Sequence, residues 1–163
     1  MNPKEFRNTM GNFATGVTVI TTSKGEELIG MTANSFSSLS VDPPLILVCI
    51  DKKSTSMRAF SRDHPFAVNI LQEEQEEACS GFAKKGGNKF ERASYYLSET
   101  GVPVLENNMA TIECTVYDIL EGGDHYIITG YVQNVSYNNE KKPLLFFRGK
   151  FGSIFEDITI AAK

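Results

Sequence analysis

Two long alternating runs around a glycine turn constrain this chain more than any other feature. Ala110 to Leu120 (ATIECTVYDIL) and His125 to Val135 (HYIITGYVQNV) flank Glu121-Gly122-Gly123-Asp124. Alternation of that kind marks half-buried antiparallel strands, and Gly-Gly-Asp marks the turn between them. Upstream, Thr15 to Thr22 is rich in β-branched residues, Ser23 to Glu27 supplies a turn, and Leu28 to Ala33 returns. Short strands follow at Leu45–Ile50 and Pro65–Leu71, and Asn138 to Lys142 turns the chain into a last strand, Pro143 to Phe151. Many short strands with hairpin signals predict a mainly β fold, a closed or nearly closed antiparallel barrel. A doubly wound sheet is disfavoured, because strands and helices do not alternate and no G-x-G-x-x-G follows the first strand.

The helices are few and short. Asn2-Pro3 caps Lys4 to Met10, with Phe6, Met10 and Phe13 on one face. Ser54 to Ser61 reads as a short helix. Gln72 to Lys85 reads as a longer one, its glutamates early and Lys84-Lys85 late, as the helix dipole favours. Gly86-Gly87-Asn88 ends it, and residues 94–108 read as irregular, broken by Gly101, Pro103 and Asn107-Asn108. With no repeat and no linker, the 163 residues form one domain, 1–163.

The stretch from Gly30 to Ser56 does not fit a purely structural role. Between Gly30 and Ser40 only Met31, Phe36 and Leu39 are bulky, while Thr32, Asn34, Ser35, Ser37, Ser38 and Ser40 crowd together. Buried polar groups need partners, so a bound polar ligand is the economical explanation. Downstream, the apolar strand 45–50 leads through Asp51-Lys52-Lys53 to Ser54-Thr55-Ser56. A strand, a turn and a hydroxyl-rich helix start is a phosphate-binding arrangement, although a plain helix cap is the commoner role for residues such as Ser54 or Thr55.

Composition narrows the partners. A net charge of -4 and a pI near 5.2 argue against nucleic acid or an anionic membrane. Lys52, Lys53, Lys84, Lys85 and Lys89 still offer a local basic patch for a small anion. Cys49, Cys79 and Cys114 are far apart and lack ligand spacing, which predicts reduced thiols and no metal site. Met1 to Phe13 has no apolar core of a signal peptide and no run reaches transmembrane length, so a cytoplasmic protein is expected.

Five ordered blocks resemble one family. They are Gly11-Asn12-Phe13-Ala14-Thr15-Gly16-Val17-Thr18-Val19, Thr32 to Ser40 with Asp42-Pro43-Pro44, Phe66 to Leu71, Gly123-Asp124-His125, and Pro143 to Gly149. Together they are similar to the flavin reductase-like, FMN-binding split-barrel family, which includes the small reductase components of two-component flavin-dependent monooxygenases. The resemblance covers nearly the whole chain. It implies an antiparallel Greek-key split β-barrel with a few short peripheral helices, forming a homodimer with flavin near the interface. It implies further that Thr32, Ala33, Asn34 and Ser35 line the isoalloxazine ring and that Ser40 follows the ribityl or phosphate path. Ser54 and Thr55 would hold the phosphate, and Phe82, Lys89 and Phe90 would border the flavin. His125 would belong to the nicotinamide site as the catalytic residue, with Asp124 orienting its ring.

The expected function is therefore an NAD(P)H:flavin oxidoreductase. It would bind FMN or FAD, accept hydride from NADH or NADPH, and pass reduced flavin to an oxygenase component or another acceptor. Such chemistry needs no nucleophile or general base, which suits a chain without a triad. The alternatives are a flavin-binding electron carrier without nicotinamide-dependent activity and a barrel that binds no flavin. Without the family, His125 is as readily a solvated turn residue, Arg148 a surface pair, Glu113 and Asp118 structural charges, and Gly86-Gly87 a flexible basic loop. The cluster of Phe146, Phe147, Phe151 and Phe155 reads as core or dimer interface.

Overall fold

The computed structural model describes residues 1–155. The remainder of the expected domain, 156–163, lies outside the described residues. Helix α1, Pro3–Met10, begins where the Asn2 side chain accepts from the Lys4 amide, at 2.9 Å. There follow β1 (Thr15–Gly16), β2 (Thr18–Lys24), β3 (Glu27–Ala33), β4 (Phe36–Ser40), β5 (Leu45–Asp51) and β6 (Pro65–Ile70). Helix α2 (Glu76–Ala83) precedes β7 (Tyr95–Leu97), β8 (Pro103–Leu105), β9 (Ala110–Gly122), β10 (His125–Tyr137), β11 (Leu145–Phe147) and β12 (Lys150–Gly152).

Seven strands make one antiparallel sheet in the order β3-β2-β6-β9-β10-β5-β4. Its two edge strands are consecutive in sequence, since β3 ends at Ala33 and β4 begins at Phe36. Three extended Cα steps span at most about 11 Å, so the sheet must curl until its edges nearly meet. The result is the expected split barrel, its seam at Asn34-Ser35. The long alternating runs form the hairpin β9–β10, with Gly122 opposite His125 and only Gly123-Asp124 between them.

The barrel interior is filled by Ile20, Ile46, Val48, Phe66, Val68, Cys114, Val116 and Ile128. A second core, of Val17, Val19, Leu71, Cys79, Phe82, Phe90 and Leu144, packs α2 against the outer face of β2. Strand β2 is therefore buried on both faces, which explains its unbroken β-branched run.

Four local expectations change. Phe36–Ser40, read only as a polar ligand stretch, is edge strand β4 paired to β5. The run from Pro143 to Phe151 is not one strand, because Arg148 and Gly149 take φ of 50° and 77° and fold it into hairpin β11–β12. The region 94–108, read as irregular, contains the hairpin β7–β8. It is anchored by Asn69, whose side chain donates to Val19 O and Thr21 Oγ1 and accepts from the Leu105 amide, each at 2.9 Å. The helix expected over Ser54 to Ser61 is a 3-10 segment, Thr55–Ala59. Among the described residues nothing covers the apolar face of α1: Phe6, Met10 and Phe13 are all exposed.

Candidate functional site

The polar stretch sits at the barrel seam. Ser35 Oγ donates to Cys49 O at 2.8 Å, and the Cys49 amide donates to Ser35 O at 3.1 Å, tying the seam to β5. Thr32 Oγ1 donates to Cys79 O on α2, at 2.6 Å, and Ala33 stands opposite Thr18 on β2. Asn34 is exposed, its amide reaching Thr15 Oγ1 at 3.3 Å. Two of the crowded hydroxyls are thus committed to structure, and Asn34 is the polar side chain presented at the seam.

A cleft of about 600 Å³ opens at the first half of β3 (Glu27 to Gly30), lined also by Thr55, Ser56 and Arg58, by the loop Gly86 to Phe90, and by Tyr95, with none of Thr32 to Ser35 in its lining. Its floor depends on Gly30. A Cβ there would come within 2.5 Å of the Phe82 ring, which is 1% exposed and cannot move aside. Phe82 and Phe90 meet edge to face at 4.9 Å and are both buried. The two rings expected to border a ligand therefore support β3 from the core side, with Phe90 also lining the cleft. Lys89 Nζ donates to Gly30 O at 3.0 Å and to Phe82 O at 3.1 Å, clasping the loop to the strand. Partial burial holds its ammonium pKa below the usual lysine range. Gly86 and Gly87, at φ of 74° and 75°, turn the loop over the cleft in a conformation that disfavours other residues.

Of the two roles open to Ser54, the geometry displays the cap: Ser54 Oγ accepts from the Ser56 amide at 3.3 Å. A five-residue 3-10 segment aligns too few peptides for a substantial dipole, so anion attraction rests on side chains. Thr55 lines the cleft with Arg58, whose guanidinium pairs with Glu27 and whose Nε donates to Thr55 O at 3.1 Å. Ser40 is not brought to this place within the chain. It stands opposite Leu45, and six extended steps along β5 to Asp51 put it about 20 Å from the other end of that strand.

His125 arrives from the opposite direction. It stands directly across the ladder from Asp51, and the Lys52 amide donates to Asp124 O at 3.0 Å, so the β9–β10 tip is fastened to the turn leading into Thr55. His125 Nδ1 lies 2.7 Å from Asp124 Oδ1 and holds that carboxyl below the usual carboxylate range. Lys52 pairs with Glu121 and lies over the Tyr126 ring, 5.0 Å from its centroid. His125 is thus fixed at the end of β5 from which the chain runs on to Thr55 in the cleft, while its own side chain lies outside the cleft's lining.

Several residues play no part here. His64 Nε2 contacts Ser23 O at 2.7 Å, Arg148 donates to Asn12 Oδ1 at 2.8 Å, and Asp118 pairs with Arg62 at 2.8 Å. Glu113 accepts from Asn134 at 3.1 Å, and all three thiols are unpaired. Among the described residues no group of His, Cys, Asp and Glu could hold a metal, and no helix is long and apolar enough to cross a membrane. Sequence reading missed Glu27, Arg58 and Tyr95, which carry no local motif and meet only where β3, the 3-10 segment and the β7–β8 hairpin pack together.

Comparison with known proteins agrees with this architecture. Residues 10–154 match the model of the flavin reductase like domain. The chain is 39% identical over 162 residues to the reductase subunit HsaB of a flavin-dependent monooxygenase from Rhodococcus jostii, covering 99% of this chain and 83% of that protein. It is 39% identical over 151 residues to the FMN reductase (NADH) SmoA of Agrobacterium fabrum, covering 93% and 86% respectively. The NADH:FAD oxidoreductase SgcE6 of Streptomyces globisporus, solved with NAD and FAD fragments, superposes with a TM-score of 0.90 at 35% identity, over 98% of each chain.

Proposed function

The chain belongs to the flavin reductase-like domain family, and from that premise we propose that it is an NAD(P)H:flavin oxidoreductase supplying reduced flavin to an oxygenase. The observation that carries the reading is the convergence of His125 with the Asp51 to Thr55 turn beside the cleft. Relatives named as reductase subunits or flavin reductases support the activity, and their names support both FMN and FAD, with NADH as donor.

The residues fit such a cofactor. Arg58 and Lys89 supply cations, Thr55 a hydroxyl, and Gly86-Gly87 unobstructed amides, a donor set suited to a phosphate ester. When bound, flavin supplies the chemistry by accepting a hydride at its N5 position. Thr32, Ala33, Asn34 and Ser35 hold the ring edge at the seam, with Asn34 offering both a donor and an acceptor. Thr55, with Arg58 and Lys89, binds the phosphate end, while Ser54 shapes the turn. Phe82 and Phe90 keep the wall rigid so that ring and phosphate subsites stay at a fixed spacing. His125 contacts the nicotinamide nucleotide, and Asp124 fixes the ring so that Nε2 faces outward. Ser40 joins the site only across a dimer, as does the exposed face of Phe6, Met10 and Phe13, whose burial a second copy would supply. The single domain spans 1–163.

Anaerobic mixing of protein, FMN and NADH tests this, read as flavin absorbance at its visible maximum. Bleaching at catalytic protein levels is expected, and repeats with FAD and NADPH set both preferences. Flavin that binds and stays oxidised with either nicotinamide overturns the enzyme in favour of a carrier.

A further inference from the structure

Building on that flavin reading, we infer that Glu27 is a specificity residue that limits how tightly the cleft holds the flavin phosphate, by occupying Arg58. The cleft is lined by two cationic side chains, Arg58 and Lys89, and one carboxylate, Glu27. Lys89 is already committed to the carbonyls of Gly30 and Phe82 and is partly buried. Arg58 is the exposed cation, with its guanidinium fixed at two points, Nε on Thr55 O and Nη2 on Glu27 Oε1. Its backbone carbonyl is in turn held by Lys24 Nζ at 3.1 Å. The guanidinium is therefore pre-positioned beside Thr55, yet its charge is shared with a carboxylate from the facing strand.

An entering phosphate competes with Glu27 for the same guanidinium donors. Both residues of the pair are about half exposed, with side-chain exposures of 50% and 53%, so the pair is weak enough to open. A carboxylate this close also repels the phosphate directly. Glu27 and the phosphate thus form alternative partners for one cation. The consequence is an intermediate affinity, suited to a protein that must take flavin up and let it go to another enzyme. Nothing in the local sequence marks Glu27, because it is the first residue of β3 and lies 31 positions from Arg58.

Equilibrium binding of FMN, FAD and phosphate-free riboflavin to Glu27→Gln, Arg58→Gln and the double variant, followed by flavin fluorescence, tests this. Glu27→Gln should tighten FMN and FAD about two- to fivefold, the range of an exposed ion pair, and leave riboflavin unchanged. Arg58→Gln should weaken both nucleotides, and in its background Glu27→Gln should have no effect beyond that of simple charge at high salt. Nucleotide binding that Glu27→Gln leaves unaltered, or riboflavin that tightens equally, overturns the inference while the flavin reading stands. A wild-type chain that binds none of the three overturns both.

Discussion

His125 stands directly opposite Asp51 in the β5–β10 ladder. The imidazole is thereby fixed at the turn that leads into Thr55, although the two positions are far apart in sequence. Replacing His125 with Ala should raise the KM for NAD(P)H by about tenfold or more, the value of a hydrogen bond to a charged group, and leave flavin affinity unchanged. Steady-state kinetics beside flavin titration checks this. A variant that loses flavin binding instead would place His125 in the wrong subsite.

Asp124 carries the pH signature of the same pair. The His125 hydrogen bond, and then its charge, hold the Asp124 carboxyl low. A carboxyl lowered on folding gives stabilisation that is complete above its ordinary range and is lost as pH falls through the lowered value. In His125→Ala the Asp124 carboxyl should titrate at higher pH, measured by side-chain carbon NMR. An unmoved midpoint would mean that the pair does not form in solution.

Gly30→Ala should destabilise the protein by about 1–3 kcal/mol, the usual cost of overpacking a core. The added methyl would lie 2.5 Å from the ring of Phe82, which is enclosed by the α2 core. Denaturant midpoints measure the loss. Phe82→Leu in the same chain should recover part of it by making room.

Asn69 ties β6 to β2 and to the start of the 105–108 segment. It donates to Val19 O and Thr21 Oγ1 and accepts from the Leu105 amide and Asn108 Nδ2. Asn69→Ala strands these buried partners and should cost about 2–3 kcal/mol. Hydrogen exchange of the Leu105 amide should accelerate more than that of β9, which keeps its own ladder.

Thiol labelling should follow burial. Cys49 is partly exposed, while Cys79 and Cys114 are buried and burial pushes Cys114 up to about 12. Alkylation at mild alkaline pH, read by mass spectrometry, should modify Cys49 first. Early loss of Cys114 would signal local opening of β9.

The long strands, their hairpins and the place of the polar stretch were legible in the order of residues. Alternation in β9 and β10, β-branched density in β2 and glycine turns are set by backbone sterics and by burial of one face. Those effects act over a few residues, so they can be read locally. The sequence also marked two candidates, His125 within one of the blocks shared with a known family and Thr55 at a hydroxyl-rich helix start. That β3 and β4 are the two edges of one curled sheet, with Asn34-Ser35 at the seam, emerges only from the folded chain. Folding carries Glu27 to Arg58 and Lys89 to the Gly30 carbonyl, and it leaves Ser40 at the far end of β5. It also turns Phe82 and Phe90 inward to support a wall. Side-chain direction in those cases is set by strand order and by what α2 covers, long-range packing that residue patterns do not encode.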